Sequence, residues 1–284
     1  FGVYCYVFAK CELCFVARLH PLNFALMNDK PLILISNDDG ITAPGIRVLV
    51  ECMKTLGQVV VVAPDSPQSG MGHAITINES LRLEKSDYFG DEVLAYQCSG
   101  TPADCVKLAL DKVLDRRPDL LVSGINHGSN SSVNVIYSGT MSAAMEGAID
   151  GLQAIGFSLC DYNVDADFSV AAEVVTKVAS KVLEKKLPTD CLLNVNIPKV
   201  SKADLKGIKV CRQAKAKWVE EFDERIDPYG RKYFWLTGKF VDMDNGEDTD
   251  EWALKNGYAS VVPVQFDLTA HHAIGTLNNW KLNE

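Results

Sequence analysis

Residues 32–40 read Leu-Ile-Leu-Ile-Ser-Asn-Asp-Asp-Gly, and they are the most informative segment of the chain. Its apolar run predicts a short buried strand, and two adjacent carboxylates, Asp38 and Asp39, follow at the end of that strand. Like charges this close repel each other unless a positive charge lies near them. A bound divalent cation is the best explanation for the pair. An Asx-turn with a helix N-cap is the structural alternative for the same two residues.

Short apolar runs alternate with amphipathic helical stretches from Lys30 onward, which is typical of βαβ units on a parallel sheet. Helices are predicted to begin at Pro102, at Ser138, near Pro44 and near Phe168. The chain is therefore expected to have an α/β fold. The predicted strands are 32–36, 59–63, 120–123, 154–160 and 192–197, with shorter β-like segments at 75–77, 81–83 and 93–97.

The last part of the chain changes to hairpin-like segments, 217–222 and 231–238. Asp227-Pro228-Tyr229-Gly230 joins them and is a strong turn signal. The segments are rich in aromatic residues, and a long hairpin is rarely stable in isolation. We therefore expect this hairpin to pack on a second subunit.

The composition limits the possible functions. A chain of 284 residues that is 47% hydrophobic can form one large α/β domain. A formal net charge of -9, with no cluster of lysine and arginine, argues against binding to nucleic acid. No apolar run predicts a membrane span. Nine cysteines scattered through apolar segments predict buried thiols in a reducing cytoplasm rather than disulfides, and Cys11 and Cys14 lack a second pair for a zinc site.

The first 26 residues differ from the rest, because charged residues interrupt every apolar stretch and no signal-peptide pattern is present. Met27 stands just before the first clean strand. We expect residues 1–26 to be a non-native or upstream extension. Residues 27–284 are expected to form a single domain, with the hairpin and a C-terminal arm in 208–284.

The residues that follow each strand form the candidate site, because ligands of open parallel sheets bind outside the carboxyl ends of the strands. The loop after 120–123 is expected to run from Gly124 to Tyr137. Oxygen donors of the kind found here suit Mg²⁺ or Mn²⁺ better than zinc or copper. The candidates are Asn37, Asp38, Asp39 and Gly40 after the first strand, Ser69, Gly70 and His73 after the second, and Asn126 and Asn130 after the strand at 120–123.

Two further features could contribute chemistry. Ser138-Gly139-Thr140 enters a helix, so its backbone N–H groups and the positive end of the helix dipole form a possible phosphate cradle. One of His271 and His272 could act as a general acid oriented by Asp267, although an exposed turn histidine is at least an equal alternative. No Walker or Gly-x-Gly-x-x-Gly pattern follows a strand, which disfavours a P-loop or dinucleotide-binding protein.

Six linked motifs carry a resemblance to a known family. They are Ser-Asn-Asp-Asp-Gly at 36–40, Val-Ala-Pro-Asp at 62–65, Ser69 with Gly72-His73, Ser-Gly-Thr-Pro-Ala-Asp-Cys-Val at 99–106, Ser-Gly-Ile-Asn at 123–126 with Gly128 and Asn130, and Tyr-Ser-Gly-Thr at 137–140. In this order the chain resembles the SurE family of survival-protein nucleotidases, from Lys30 to about His271. Thr249-Asp250 and the segment 267–271 resemble the family's C-terminal segments.

The resemblance implies a Rossmann-like three-layer fold whose C-terminal hairpin and arm are exchanged between subunits of a homodimer or homotetramer. It implies a phosphomonoesterase that uses one divalent metal ion per subunit and hydrolyses nucleoside 5'-monophosphates, and 3'-monophosphates, to nucleoside and phosphate. By motif position the metal ligands are Asp38, Asp39, Ser69 and Asn126. The phosphate or substrate residues are Asn37, Gly40, Gly70, His73, Asn130, Ser138, Gly139 and Thr140, and Asp267 and His271 join the two aspartates as catalytic candidates.

The mechanistic hypothesis is that the cation neutralises charge on the phosphate and lowers the pKa of a water that attacks phosphorus in line. A phosphorylated aspartate is the minor alternative, since dehalogenase-type phosphatases place one residue between their two aspartates. A catalytically silent nucleotide- or phosphosugar-binding protein is the alternative from a different class.

Overall fold

The chain forms its sheet from aliphatic and β-branched runs, and a computed structural model describes residues 30–163 and 165–282. The compact unit that contains the sheet begins at Pro31. The predicted extension at 1–26 lies outside the described residues. The strands are β1 (Leu32–Ser36), β2 (Gln58–Pro64), β3 (Leu83–Lys85), β4 (Leu94–Cys98), β5 (Leu120–His127), β6 (Ala154–Leu159), β7 (Leu192–Ile197), β8 (Gly207–Val210), β9 (Ala216–Ile226), β10 (Lys232–Asp242) and β11 (Tyr258–Val264).

The helices begin where proline or a capping side chain permits. Pro44 and Pro102 open the first two, and Thr101 completes a capping box with Asp104 at the second. The α-helices are α1 (Pro44–Lys54), α2 (Pro102–Leu108), α3 (Gly139–Ile149), α4 (Ser169–Lys185), α5 (Asp250–Lys255) and α6 (His271–Asn278), with a π-helical turn at Ala109–Val113 and a 3-10 helix at Ser132–Ile136.

Nine strands form one sheet in the order β3-β4-β2-β1-β5-β6-β7-β11-β8. Most neighbours are parallel, and only the β3–β4 and β7–β11 pairs are antiparallel. After β1 the chain places β2 and β4 on one side, then crosses back and places β5, β6 and β7 on the other. The carboxyl ends of β1 and β5 therefore flank the topological switch point, where open α/β sheets bind their ligands.

Helices cover both faces of this sheet. Residues of α1 and α4 pack against one face in a large cluster that includes Ile35, Leu49 and Val175. Residues of α2 and α3 pack against the other face in a second cluster that includes Leu34, Val106 and Met141. β1 is buried on both sides, which explains why its run is continuously apolar rather than alternating. The fold is thus α/β with a parallel-dominated central sheet, as predicted.

Two sequence predictions about the strands are wrong. The segment 75–77 is not a strand, because the backbone N–H of Thr76 donates to the Asp104 carboxylate instead of to a neighbouring strand. The polar loop does not begin at Gly124, because β5 continues to His127. After a register shift, Asn126 and His127 pair with Ser158 and Leu159 of β6. This irregularity lies directly before Asn126, and such bulges re-aim side chains next to active sites.

The predicted hairpin is confirmed and is longer than expected. The pairing of β9 with β10 extends from the pair Ala216 and Asp242 to the pair Ile226 and Lys232, next to the turn. Side chains of paired residues share one face, so the pairing aligns a strip of large apolar residues. We call this strip the apolar hairpin face: Trp218, Phe222, Ile226, Phe234, Leu236 and Phe240. None of the helices in the described ranges is both long enough and apolar enough to cross a bilayer.

Candidate metal and phosphate site

The two aspartates lie directly beyond β1, at the switch point. Asp38 is only 4% exposed. Its Oδ1 accepts a hydrogen bond of 2.5 Å from the Thr140 hydroxyl, and its backbone carbonyl accepts one of 2.7 Å from Gln68 N. The Oδ2 of Asp39 accepts a hydrogen bond of 3.1 Å from His127 N at the end of β5. Both carboxylates are therefore held by neighbouring elements rather than by a local turn alone.

Burial and like charge act together on this pair. Burial, followed by the charge of Asp39, raises the pKa of the Asp38 carboxyl to about 6, against the lowering effect of its hydrogen bonds with Thr140. Burial also raises the pKa of Asp39, although the hydrogen bond from His127 opposes the shift. Two partly desolvated negative charges at adjacent positions are unfavourable without a compensating positive charge.

Asn37 provides part of the turn that exposes the pair. Its Nδ2 donates to the carbonyl of Gly40 at 2.8 Å, and Gly40 takes a φ of +96° that L side chains rarely adopt. The Oδ1 of Asn37 is buried and has no hydrogen-bond partner among the described residues. Asn37 thus closes this turn through its NH₂ group. The structural alternative for the two aspartates is wrong, because Asp38 and Asp39 accept hydrogen bonds from Thr140 and His127, and the N-cap of α1 is Ala43.

The amino terminus of α3 points at Asp38. Ser138 is its N-cap, and the Ser138 hydroxyl accepts from Met141 N at 3.0 Å. At Gly139 the helix comes so close that a Cβ would lie 2.6 Å from the Cβ of Asp38 and 2.9 Å from its Oδ2. The sequence predicts Ser138, Gly139 and Thr140 as a phosphate cradle. The structure places the start of α3, which they form, beside Asp38.

Asn126 approaches the same point from β5. Its Oδ1 lies 3.3 Å from the Thr140 hydroxyl, which also lies 2.5 Å from Asp38 Oδ1. Its Nδ2 donates to the carbonyl of Gly128 at 2.8 Å, which fixes the orientation of the amide. Oxygens from β1 and β5 therefore converge on one hydroxyl group, although the residues are far apart in the sequence.

The loop after β2 is tied to the site by its backbone. Gln68 N donates to the carbonyl of Asp38, and Gly72 N donates to the carbonyl of Tyr137 at 3.2 Å. Ser69 lies between these two anchors and is exposed. Gly70 has a φ of +74° and open space around its α-carbon. In the described parts of the chain, no hydrogen bond joins Ser69 to either aspartate.

His73 is fixed away from the aspartates. Its Nε2 lies 2.8 Å from Oε2 of Glu146, a buried residue of α3 that also pairs with Lys107 at 2.5 Å. The hydrogen bond with His73 lowers the pKa of Glu146. His73 thus anchors the loop to α3, and its predicted role in substrate binding stays a prediction.

Asn130 is buried beyond β5 and belongs to a network of amides. Its backbone N–H donates to Asn196 Oδ1 and its Nδ2 donates to Ser158 Oγ, both at 2.8 Å. Its carbonyl accepts from Asn194 Nδ2 at 2.8 Å. The ends of β6 and β7 therefore hold this residue rigidly at the carboxyl edge of the sheet.

Asp267 and His271 form a pair of their own in the C-terminal arm. Asp267 Oδ2 lies 2.7 Å from His271 Nε2, and both side chains are exposed. Hydrogen bonds with Thr269 and His271 lower the pKa of Asp267 to about 2. No hydrogen bond or ion pair within residues 30–163 and 165–282 joins this pair to Asp38 or Asp39. The structure confirms the pairing and does not bring the pair to the other candidates.

The donor set fits a hard divalent cation. Among the residues that the structure describes, no three histidine, cysteine, aspartate or glutamate side chains lie together as a metal-binding group. A cation at Asp38 and Asp39 would therefore complete its shell with neutral oxygens and water, as Mg²⁺ commonly does. A positive charge at this point would lower the raised pKa of Asp38.

Sequence reasoning missed several residues of this region. His127 binds Asp39 through its backbone N–H, which no side-chain pattern can indicate. Glu146 and Asp104 anchor the loop after β2, and Asp250 holds the segment that follows Asn130. The Thr249-Asp250-Glu251 sequence carries an N-cap signal for α5, but it does not indicate the contacts with Ser131 and Ser132, which lie more than 100 residues away.

The fold and the site together define an α/β protein with a carboxylate and helix-terminus site at the switch point of its sheet. The protein-family model described as "Survival protein SurE" matches residues 33–220 of this chain. The protein named "5'-nucleotidase SurE" of Flavobacterium johnsoniae is 64% identical over 258 residues, covering 91% of this chain and 100% of the relative. That of Phocaeicola vulgatus is 45% identical over 258 residues, covering 90% and 99%.

A solved structure gives the same result. The crystal structure of the SurE protein from Aquifex aeolicus matches with a TM-score of 0.77 at 42% identity, and the match covers 88% of this chain and 99% of that one. The chain therefore belongs to the survival protein SurE family.

Proposed function

We propose that this protein is a divalent-metal-dependent phosphomonoesterase that hydrolyses nucleoside 5'-monophosphates. The observation that carries the proposal is the convergence of Asp38, Asn126 and the α3 amino terminus on the Thr140 hydroxyl. It combines oxygen donors for a cation with a helix end that favours anions. The curated relatives named as 5'-nucleotidases, 64% identical over most of the chain, support the same activity.

Each part of the site has a role in this proposal. Asp38, Asp39, Ser69 and Asn126 would hold one Mg²⁺ or Mn²⁺ ion. When bound, such an ion neutralises charge on a phosphate and makes a water more acidic. The N–H groups at the start of α3 bind phosphate oxygens, and Asn130 completes the phosphate site from the neighbouring loop. Because α3 is fixed against Asp38, these donors are oriented before substrate arrives.

The leaving nucleoside oxygen needs a proton, and the His271–Asp267 pair is our candidate donor. Asp267 would fix the orientation of the His271 ring through the 2.7 Å contact between them. In the proposed assembly, the arm that carries this pair is exchanged between subunits, so the pair would serve the site of a neighbouring copy.

Removal of the metal is expected to stop the reaction. The protein, stripped with EDTA and passed through a chelating resin, should release no phosphate from AMP above the uncatalysed rate, because Asp38 and Asp39 would then face the phosphate without the cation that offsets their charge. Addition of Mn²⁺ or Mg²⁺ should restore release, measured as inorganic phosphate. Turnover that survives EDTA, or no turnover with any divalent metal, would contradict the proposal; the second result would favour the silent nucleotide-binding alternative.

We also propose that the protein assembles as a homodimer or homotetramer through its hairpin. On the apolar hairpin face, Phe222, Phe234 and Leu236 are 65%, 55% and 63% exposed. Contiguous exposed apolar surface of this kind marks protein interaction sites. A long two-stranded ribbon is also marginal without further packing. A second copy of the chain would supply that packing.

Two adjacent residues test the assembly. Leu236→Lys places a charge on the apolar hairpin face, whereas Thr237→Lys places the same charge on the opposite face, next to Glu221. Burial of one leucine contributes about 1.5–3 kcal/mol. Leu236→Lys should therefore shift the mass measured by light scattering towards the monomer, while Thr237→Lys should not. An unchanged mass for Leu236→Lys would argue against this interface.

The proposal has three further parts. Hydrolysis of 3'-monophosphates and the single domain at 27–284 follow from the family resemblance. A cytoplasmic location is supported by the free cysteines, since the six in the described residues form no disulfide and several are buried. Rates measured on a panel of 5'- and 3'-monophosphates with several metals would test the hydrolysis of 3'-monophosphates.

A further inference from the structure

Asp250 is a buried carboxylate that no step of the proposed reaction uses. It lies at the start of α5 and is 1% exposed. Its Oδ2 accepts from Ser132 N and its Oδ1 accepts from Ala214 N, both at 2.8 Å. The Oδ1 also accepts from Glu251 N at 2.9 Å. One carboxylate therefore satisfies backbone N–H groups from two distant segments of the chain.

Ser132, the first of these partners, has an unusual backbone. Its φ is +53°, in the left-handed region that non-glycine residues rarely adopt. It is fully buried, and its hydroxyl donates to the carbonyl of Ala214 at 2.9 Å. An unfavourable conformation persists only where the surroundings hold it. The hydrogen bond from Ser132 N to Asp250 is the charge-assisted contact that does so.

Ser132 belongs to the connection between β5 and α3, which we call the phosphate crossover (residues 128–138). This segment begins beside Asn126, contains Asn130 and ends at Ser138, the N-cap of α3. Glu251, next to Asp250, accepts a hydrogen bond of 2.5 Å from the Ser131 hydroxyl. Consecutive residues of α5 thus hold consecutive residues of the phosphate crossover.

The same contacts reach the base of the hairpin. Ala214 lies two residues before β9, and Trp218 within β9 donates through Nε1 to Asn134 Oδ1 at 2.7 Å. The phosphate crossover is therefore fastened both to α5 and to the first residues of the hairpin.

We propose that Asp250 is a positioning residue for the proposed nucleotidase reaction: it holds the phosphate crossover in the shape that presents Asn130 and the α3 amino terminus to the phosphate. This inference rests on the proposed function, since it concerns the same site. It assigns no contact between Asp250 and substrate, and its effect passes through Ser132.

Asparagine cannot replace this carboxylate. An asparagine at 250 has one oxygen and one NH₂ group, so its NH₂ must face the N–H of either Ser132 or Ala214. Two donors would then oppose each other in a buried place, which is strongly unfavourable. If the NH₂ group faces Ser132, the left-handed backbone there loses its hydrogen bond. If the NH₂ group faces Ala214, the base of the hairpin must shift.

The test compares Asp250→Asn, Ser132→Gly and the double variant with wild type, using AMP and Mn²⁺. Asp250→Asn should raise KM for AMP, and the inhibition constant of inorganic phosphate, about ten- to a hundredfold. The concentration of Mn²⁺ for half-maximal activity should change much less than KM, because none of the four proposed ligands, Asp38, Asp39, Ser69 and Asn126, lies in the phosphate crossover. Ser132→Gly should raise KM less than Asp250→Asn does, because glycine adopts positive φ freely. In the double variant it should recover the part of the loss that comes from the left-handed backbone at 132, although the opposed donors remain.

A second pair keeps the inference testable if Asp250→Asn does not fold. Ser132→Ala and Ser132→Gly both remove the hydroxyl and differ only in the Cβ that disfavours positive φ. Ser132→Ala should raise KM for AMP several-fold above Ser132→Gly. Equal KM values for this pair, or a folded Asp250→Asn that is less heat-stable but has the wild-type KM, would overturn the inference. Failure of wild type itself to release phosphate would instead overturn the proposed function.

Discussion

Replacement of Asp38 by asparagine will strongly reduce phosphate release and will make the metal-free protein more stable. The activity should fall by at least about 10²-fold, as expected when one preorganised electrostatic group of an active site is removed. Asparagine keeps the size of the side chain and can still accept the hydrogen bond from the Thr140 hydroxyl, so the fold is retained. The loss follows from the missing charge on the proposed cation ligand.

The gain in stability has a separate physical cause. At neutral pH the buried Asp38 carboxylate, whose pKa burial and Asp39 raise to about 6, is ionised at a net disadvantage in the folded protein. Replacement of this carboxylate should therefore increase the free energy of unfolding in EDTA by about 1–2 kcal/mol. Each pKa unit of the rise corresponds to about 1.4 kcal/mol, and the acceptor that asparagine lacks offsets part of the gain. Urea unfolding in EDTA measures this effect.

Asp87→Asn is the matched control for that experiment, because Asp87 is an exposed aspartate in a surface turn. It should change neither activity nor stability. An Asp38→Asn protein that keeps its turnover would show that the ligand set is wrong. One that loses both turnover and stability would show that Asp38 is mainly a structural residue.

Replacement of Gly139 by alanine is expected to have the second largest effect. The new Cβ would lie 2.6 Å from the Cβ of Asp38, so either the carboxylate or the start of α3 must move. A misplacement of about 1 Å in an active site can reduce the rate about 10²-fold. We expect kcat for AMP with Mn²⁺ to fall by that order, together with weaker activation by Mn²⁺.

Gly147→Ala provides the control on the same helix. Its Cβ would meet Leu121 Cδ1 at 2.8 Å, which is the flexible end of a core side chain far from the aspartates. This variant should lower the unfolding temperature with little change in kcat. If both variants reduce kcat equally, the effect arises from the packing of α3 in general and not from its approach to Asp38.

The strand-end rule explains why much of the site could be predicted. β1 and β5 are short apolar runs that are easily recognised, and the polar residues after them must meet at one edge of a parallel sheet. The sequence therefore correctly predicts that Asp38 and Asn126 lie close together. It also correctly predicts that a helix begins at Ser138, which is the N-cap of α3, since capping depends on local sequence.

Other features depend on distant contacts and could not be predicted. The segment 75–77 has the apolar pattern of a strand, but Asp104 of α2 captures the backbone of Thr76. The left-handed Ser132 gives no local signal, because its conformation is maintained by Asp250, 118 residues later in the chain. Local propensity is a weak guide wherever tertiary contacts oppose it.

The separation of the site residues along the chain has a consequence for folding. Positions 38, 126 and 139 lie in the turn after β1, in β5 and in α3, and they meet only after the strands have taken their final order. A metal ion cannot nucleate the folding of such a chain, because no local segment that forms early contains enough of the proposed ligands. It would instead slow the opening of the finished sheet, so dissolved magnesium or manganese should lengthen the unfolding half-life and leave the refolding rate unaffected.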